Sequence, residues 1–189
     1  MTKHFGSSDM TDGMHRIALL GPMGIGKTTA IRVLCGSDIV SSDVPNLDRI
    51  AHTKEHTTVG VEFGEIDLGG GERVQLWGCP GQDRFDFARQ WLISVSVGIF
   101  VMVDLGSEKV MESATDLLRE ISLAPTRPVT LILCAREASN DQILSFSNDL
   151  LSAGFGVMPV LPVDVRDRNQ LLQVLEVLVA MLSLRSELL

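Results

Sequence analysis

The chain lacks the features that mark several large classes of protein. Cysteine is scarce: Cys35, Cys79 and Cys134 stand far apart, with no CxxC pair and no histidine cluster beside them. That argues against a zinc site or a disulfide framework, and for three reduced, mostly buried thiols in a cytoplasmic protein. His4, His15, His52 and His56 show no metal-ligand spacing and read as solvated or loop residues. A basic excess is missing too, with 16 basic residues against 24 acidic ones and a net charge of −8. Without a basic stripe, DNA or RNA is not an expected partner. The longest apolar run, Val95 to Val103, is too short to span a bilayer. No secretion signal opens the chain, and neither Met1-Thr2 nor Ser186-Glu187-Leu188-Leu189 carries a lipidation motif, so no direct membrane anchor is expected. Internal repeats and low-complexity linkers are absent as well.

What is present suits one globular domain. The chain has 189 residues, 45 % of them apolar, enough for a full core. Residues 1–13 are polar and read as a flexible N-terminal tail, leaving 14–189 as the folded domain. Short apolar runs alternate with longer helical patterns, which predicts a parallel sheet covered by helices on both faces. Strands are expected at His15–Leu20, Val59–Leu68, Glu72–Gly78, Gly98–Leu105, Val129–Cys134 and Val157–Val163. The second and third flank Gly69-Gly70-Gly71, a hairpin signal. Pro159 and Pro162 put the last strand at an edge. Helices are expected at Lys27–Gly36, Glu108–Ile121, Asn140–Ala153 and Asp167–Arg185, and Ser37–Thr58 reads mostly as loop. The last helix has only a thin polar stripe (Gln173, Glu176, Ser183, Glu187), which means deep packing on the sheet or, alternatively, a surface for a partner.

Gly21-Pro22-Met23-Gly24-Ile25-Gly26-Lys27-Thr28 meets the pattern GxxxxGK[ST] in full, directly after a predicted strand and opening a helix. Glycines let the backbone wrap around phosphate with its N–H groups pointing inward, and the helix N-terminus adds a positive field. Lys27 suits the β- and γ-phosphates and Thr28 offers a hydroxyl to Mg²⁺. Met23, Gly24, Ile25, Gly26, Lys27, Thr28 and Thr29 are therefore the candidate nucleotide-binding stretch. Kinases, ATPases and GTPases share this loop. A kinase would usually add a lid rich in arginine, and no arginine cluster is evident.

Two further motifs resemble the switches of Ras/Rab-like small GTPases. Thr57-Thr58-Val59-Gly60-Val61-Glu62-Phe63-Gly64 is similar to the first, and the resemblance makes Thr58 a Mg²⁺ ligand that senses the γ-phosphate. Taken alone, the same residues also suit a plain strand entry. Trp77-Gly78-Cys79-Pro80-Gly81-Gln82-Asp83-Arg84-Phe85 is similar to the second, usually DxxGQ. Gly81 would give its N–H to the γ-phosphate and Gln82 would orient the attacking water, so Lys27, Gly81 and Gln82 form the candidate catalytic set. A Pro-Gly turn ending a strand is the plainer reading of that segment. The family's Asp is Gly78 here, and a glycine cannot serve the ion; Glu62 or Asp67 on the preceding strand could take its place, or water and the phosphates could complete the shell. Met23 stands where many relatives have glycine and should crowd Gln82. Slow hydrolysis is the expectation.

At the base-recognition end, relatives carry [NT]KxD and this chain reads Cys134-Ala135-Arg136-Glu137. Glu137 could accept from guanine in place of the Asp, and Arg136 could stack on the base by its planar face. An ordinary strand-to-helix loop is equally compatible with these residues.

The segments TTVGVEFG, LWGCPGQDRF and PVDVRDRNQLLQVLEVLV resemble a bacterial branch of the small GTPases, the conservon ATP/GTP-binding proteins, and more distantly the gliding-motility polarity GTPase. The likeness covers about Arg16 to Leu184. It implies a Ras-like P-loop α/β fold, with a six-stranded, mostly parallel sheet and one antiparallel edge strand. It implies a GTP/GDP-binding, Mg²⁺-dependent switch and a roadblock-type regulatory dimer as partner, and it sets Asp164 near the base. The alternative is a pseudo-GTPase, a scaffold with negligible turnover or relaxed base specificity.

Overall fold

The apolar runs ending at Leu20, Val103 and Cys134 become the central strands of one sheet, because only a strand covered on both faces can use an apolar side chain at nearly every position. The computed structural model describes residues 14–36, 40–45, 56–69, 72–81 and 85–187. In chain order the elements are β1 (Met14–Leu20), α1 (Lys27–Cys35), β2 (Val40–Pro45), β3 (His56–Gly69), β4 (Glu72–Gly78), α2 (Asp86–Val95), β5 (Gly98–Val103), α3 (Val110–Ser122), β6 (Val129–Cys134), α4 (Asn140–Ser152), β7 (Val160–Pro162) and α5 (Arg168–Glu187). Among the described residues the sheet has seven strands in the order β2-β3-β4-β1-β5-β6-β7.

β4, β1, β5, β6 and β7 run parallel, joined by helical crossovers, while β3 runs antiparallel to both its neighbours. The expected Ras-like α/β architecture holds. The sheet nevertheless carries a seventh strand, so the antiparallel β3 lies one place in from the edge. The extra strand is β2, inside the segment expected as loop. Its residues Ser41, Ser42 and Asp43 offer no apolar alternation, and an edge strand needs none to pair through its backbone. Helix α2 is also additional to the elements expected. Its Ala88 and Leu92 are buried at helical spacing, directly after the Pro-Gly turn that dominates the local pattern.

Side chains on the two faces of the sheet form two cores. One lies under α1 and α5 and contains Ile17, Leu19, Ile31, Leu76, Phe100, Leu131 and Leu175. The other lies under α2, α3 and α4 and contains Ala18, Leu20, Leu92, Val101, Leu118, Ile132 and Leu150. Helix α5 buries Leu171, Val174, Leu175 and Leu178, one stripe at three- and four-residue spacing, which is the deep packing its composition suggested. Phe63 and Trp77, opposite each other on β3 and β4, stack with ring centroids 4.6 Å apart, and Trp91 of α2 meets Trp77 edge-on at 5.6 Å. Such pairs contribute about 0.5–1.5 kcal/mol each and fix the register of the two strands. Because side chains alternate along a strand, that register sets Glu62 against Gly78 on the opposite face, toward α1.

No helix among the described residues is long and apolar enough to cross a membrane.

Candidate functional site

β1 delivers the chain to the glycine-rich loop and α1 takes it away, so the loop lies at the carboxyl ends of the parallel strands. Gly26 caps α1 with φ 114°, a left-handed conformation that favours glycine, and a Cβ there would lie 2.9 Å from Val165 Cγ2. The first turn of α1 holds no acidic residue. Its orphan N–H groups and positive helix end therefore find no anion within the helix's own first turn.

Lys27 is only 9 % exposed. Its Nζ donates to the carbonyls of Gly21 and Pro22, each at 2.8 Å, which holds the ammonium inside the loop. Burial lowers its pKa, while Cys79 and Glu62 act in the opposite sense. Beside it, the Thr28 hydroxyl donates to Glu62 Oε2. Glu62 thus reaches α1, whereas Asp67 pairs in register with Arg73 near the hairpin turn, away from the loop. A hydroxyl and a carboxylate are hard oxygen donors. Mg²⁺ is usually held by one or two carboxylates plus phosphates and waters, and this donor pair fits it. Among the described residues no group of three or more His, Cys, Asp or Glu could hold a metal ion unaided.

Thr58 is placed elsewhere. It pairs with Asp43 in the β2/β3 ladder, four residues upstream of Glu62, about 13 Å along a strand that rises ~3.3 Å per residue. The segment expected as loop is strand at this position, because β2 gives its backbone a partner. Gly81 does approach the loop: a Cβ there would lie 2.6 Å from Met23 N and 2.7 Å from Gly21 O, so only glycine fits this contact. The Met23 side chain is 73 % exposed. Gln82 lies outside the described residues, as do residues 1–13, assigned above to a tail.

A second part of the site opens on the far side of the loop. A cavity of about 680 Å³ is lined by Gly24, Gly26 and Thr29 from the loop side, Ala135 to Ala138 after β6, and Pro162 to Arg166 with Gln170 after β7. Glu137 and Asp164 both line it. Asp164 is already engaged: Arg166 donates to it through Nε at 2.9 Å, Nη2 at 2.8 Å and its backbone N–H at 3.0 Å. Those hydrogen bonds hold its pKa down to about 2. Arg136 has a part that sequence reasoning missed. Its guanidinium donates to Gly24 O at 2.7 Å and Ile25 O at 2.9 Å, tying the end of β6 to the phosphate loop. The only sequence signal was an arginine two residues past the strand.

Residues 16–135, more than half of the chain, match the family model described as 50S ribosome-binding GTPase. Ras-related protein Rab-15 of Mus musculus is 27 % identical over 134 residues, covering 69 % of this chain and 58 % of that protein. Ras-related protein Rab-8A of Gallus gallus is 26 % identical over 152 residues, covering 77 % and 68 %. Ras-related protein Rab-4A of Mus musculus is 23 % identical over 137 residues, covering 71 % and 57 %. The chain therefore spans less than two thirds of the length of its Rab-15 relative.

Proposed function

We propose a switch function for this chain, which belongs to the 50S ribosome-binding GTPase family. It binds GTP and GDP in the cytoplasm, hydrolyses GTP slowly, and changes its affinity for a regulatory partner as it does so. The observation that carries this reading is the buried Lys27 ammonium held on the loop carbonyls beside the Thr28–Glu62 pair. That arrangement is built for a polyphosphate with its cation.

Met23 to Thr29 enclose the phosphates, and Lys27 neutralises their charge. Thr28 and Thr58 would hold Mg²⁺, which, when bound, offsets charge on the phosphate oxygens. Gly81 donates its N–H toward the terminal phosphate and Gln82 orients the attacking water. For Thr58 to take part, the first residues of β3 must leave the β2 ladder. Only the triphosphate rewards that exchange, which gives two states with different surfaces. Glu137 accepts from guanine, with Asp164 and Arg166 closing the cavity. Met23 and the missing side chain at Gly78 make turnover slow and dependent on a partner. The resemblance of its motifs to the bacterial conservon branch supports a roadblock-type dimer for that role.

Purified protein, the nucleotide it carries, and phosphate release with and without a roadblock-type dimer test this reading. Phosphate release from GTP, faster with the dimer, is the expected result. Bound GTP without turnover under either condition would favour a nucleotide-binding scaffold, the reading that Thr58 in the ladder and Gly78 support. A preference for ATP would sink guanine recognition.

A further inference from the structure

We infer that Glu62 supplies the acidic group of the cation site at the phosphate end, a role that falls to β3 because position 78 on β4 has no side chain. The inference rests on the nucleotide-binding reading above and names a residue that acts through Thr28.

Glu62 and Gly78 are direct cross-strand partners, so a side chain at either position leaves the same face of the sheet. A Cβ at position 78 would meet Ile31 Cδ1 at 2.9 Å and Lys27 Cβ at 3.8 Å, which shows that this face looks onto the first turns of α1. Glu62, one strand farther out, has the longer reach to the same place, and its Oε2 accepts the Thr28 hydroxyl proton. That hydrogen bond has a chemical consequence. A hydroxyl whose proton is committed to a carboxylate turns its lone pairs away from it. The proton acceptor and the cation can then use the same oxygen at once. The carboxylate also adds negative charge beside Lys27, which balances the cation's own charge. The stacked Phe63–Trp77 pair on the opposite face holds the two strands in the register that makes the reach possible.

The test uses Mn²⁺ as a paramagnetic stand-in and GDP as the nucleotide. Mn²⁺ affinity of the GDP complex is read by electron paramagnetic resonance, and GDP affinity is read separately in EDTA. Glu62→Gln keeps a hydrogen-bond acceptor for Thr28 and removes the charge. It is expected to weaken Mn²⁺ by about 10–100-fold while metal-free GDP affinity stays within about threefold. In Glu62→Gln/Gly78→Asp, the Ile31 side-chain end must move aside, and Mn²⁺ affinity is expected to recover at least about threefold of the loss. Glu62→Ala, with melting followed by circular dichroism, covers the case of a misfolded double variant and should match Glu62→Gln in Mn²⁺ binding. Mn²⁺ binding that is unchanged or tighter in Glu62→Gln overturns the inference while leaving nucleotide binding intact. A parent protein that takes neither guanine nor adenine nucleotide with Mn²⁺ overturns the proposed function, and this inference with it.

Discussion

The two ends of the site are built by different means. At the phosphate end one continuous turn of backbone does most of the work, with Lys27 and Thr28 next to each other in the chain. At the base end the cavity is assembled from three distant segments, around Gly24 to Thr29, Ala135 to Ala138 and Pro162 to Gln170. Backbone N–H groups recognise charge and are lost only by substitution to proline. Side chains that would read a base can be lost, and Cys134 and Ala135 stand where the [NT]KxD motif has Asn or Thr and Lys. The cavity keeps two carboxylates, yet Arg166 already occupies one of them. The difference teaches that binding of phosphate and choice of base would rest on separable groups in this fold.

The largest expected effect is at the phosphate end. Lys27→Ala should weaken GTP and GDP alike by about 100-fold, roughly 2.7 kcal/mol, by isothermal titration. A loss below about fivefold would mean that the ammonium stays on the Gly21 and Pro22 carbonyls and does not meet the phosphates. At the base end, Glu137→Ala should cost GTP about tenfold, roughly 1.4 kcal/mol, and leave ATP binding almost unchanged. Equal loss for both nucleotides would break the separation between the two ends. Asp164→Asn should change either affinity by no more than about twofold, since Arg166 shields that carboxylate from a ligand. A large change there would exchange the roles given to Asp164 and Glu137.

The smallest effect concerns what the two ends share. Cys79 lies behind the phosphate end and Cys134 under the base cavity, and burial pushes both thiols from 9.0 up to about 11, as it does Cys35. The folded chain keeps these protons where the unfolded chain has already lost them. Their contribution to stability is therefore present below about pH 9 and lost between about pH 9 and pH 11, as read by denaturant midpoints of the parent against Cys79→Ala and Cys134→Ala. Both buried thiols should also resist alkylation at neutral pH in the native protein.

This asymmetry also decided what could be read from the chain. The phosphate loop was legible because its chemistry is local: glycines, a lysine and a hydroxyl in one run after an apolar strand. The central strands were legible because burial on both faces leaves an unbroken apolar run. Strand β2 was not, since an edge strand is held by backbone pairing and its serines and Asp43 carry no period. Glu62 was one of two candidate acids until the β3/β4 register fixed its face, a relation between residues far apart in sequence. Arg136 was read as a group for the base, and its bonds to Gly24 and Ile25 depend on the approach of β6 to the loop, which no local pattern reports.

The margins of the sheet have a consequence of another kind. On one side stands β2, six residues long, ending in Pro45 and interrupted by a register shift between Ser42 and Asp43. On the other stands β7, three residues long and ending in Pro162. Short length, a bulge and a proline each spoil the template that a bare strand offers to a neighbouring chain. Among the described residues the sheet thus ends at both sides without inviting edge-to-edge growth. Lengthening β7 or straightening β2 would be a direct way to make this protein polymerise.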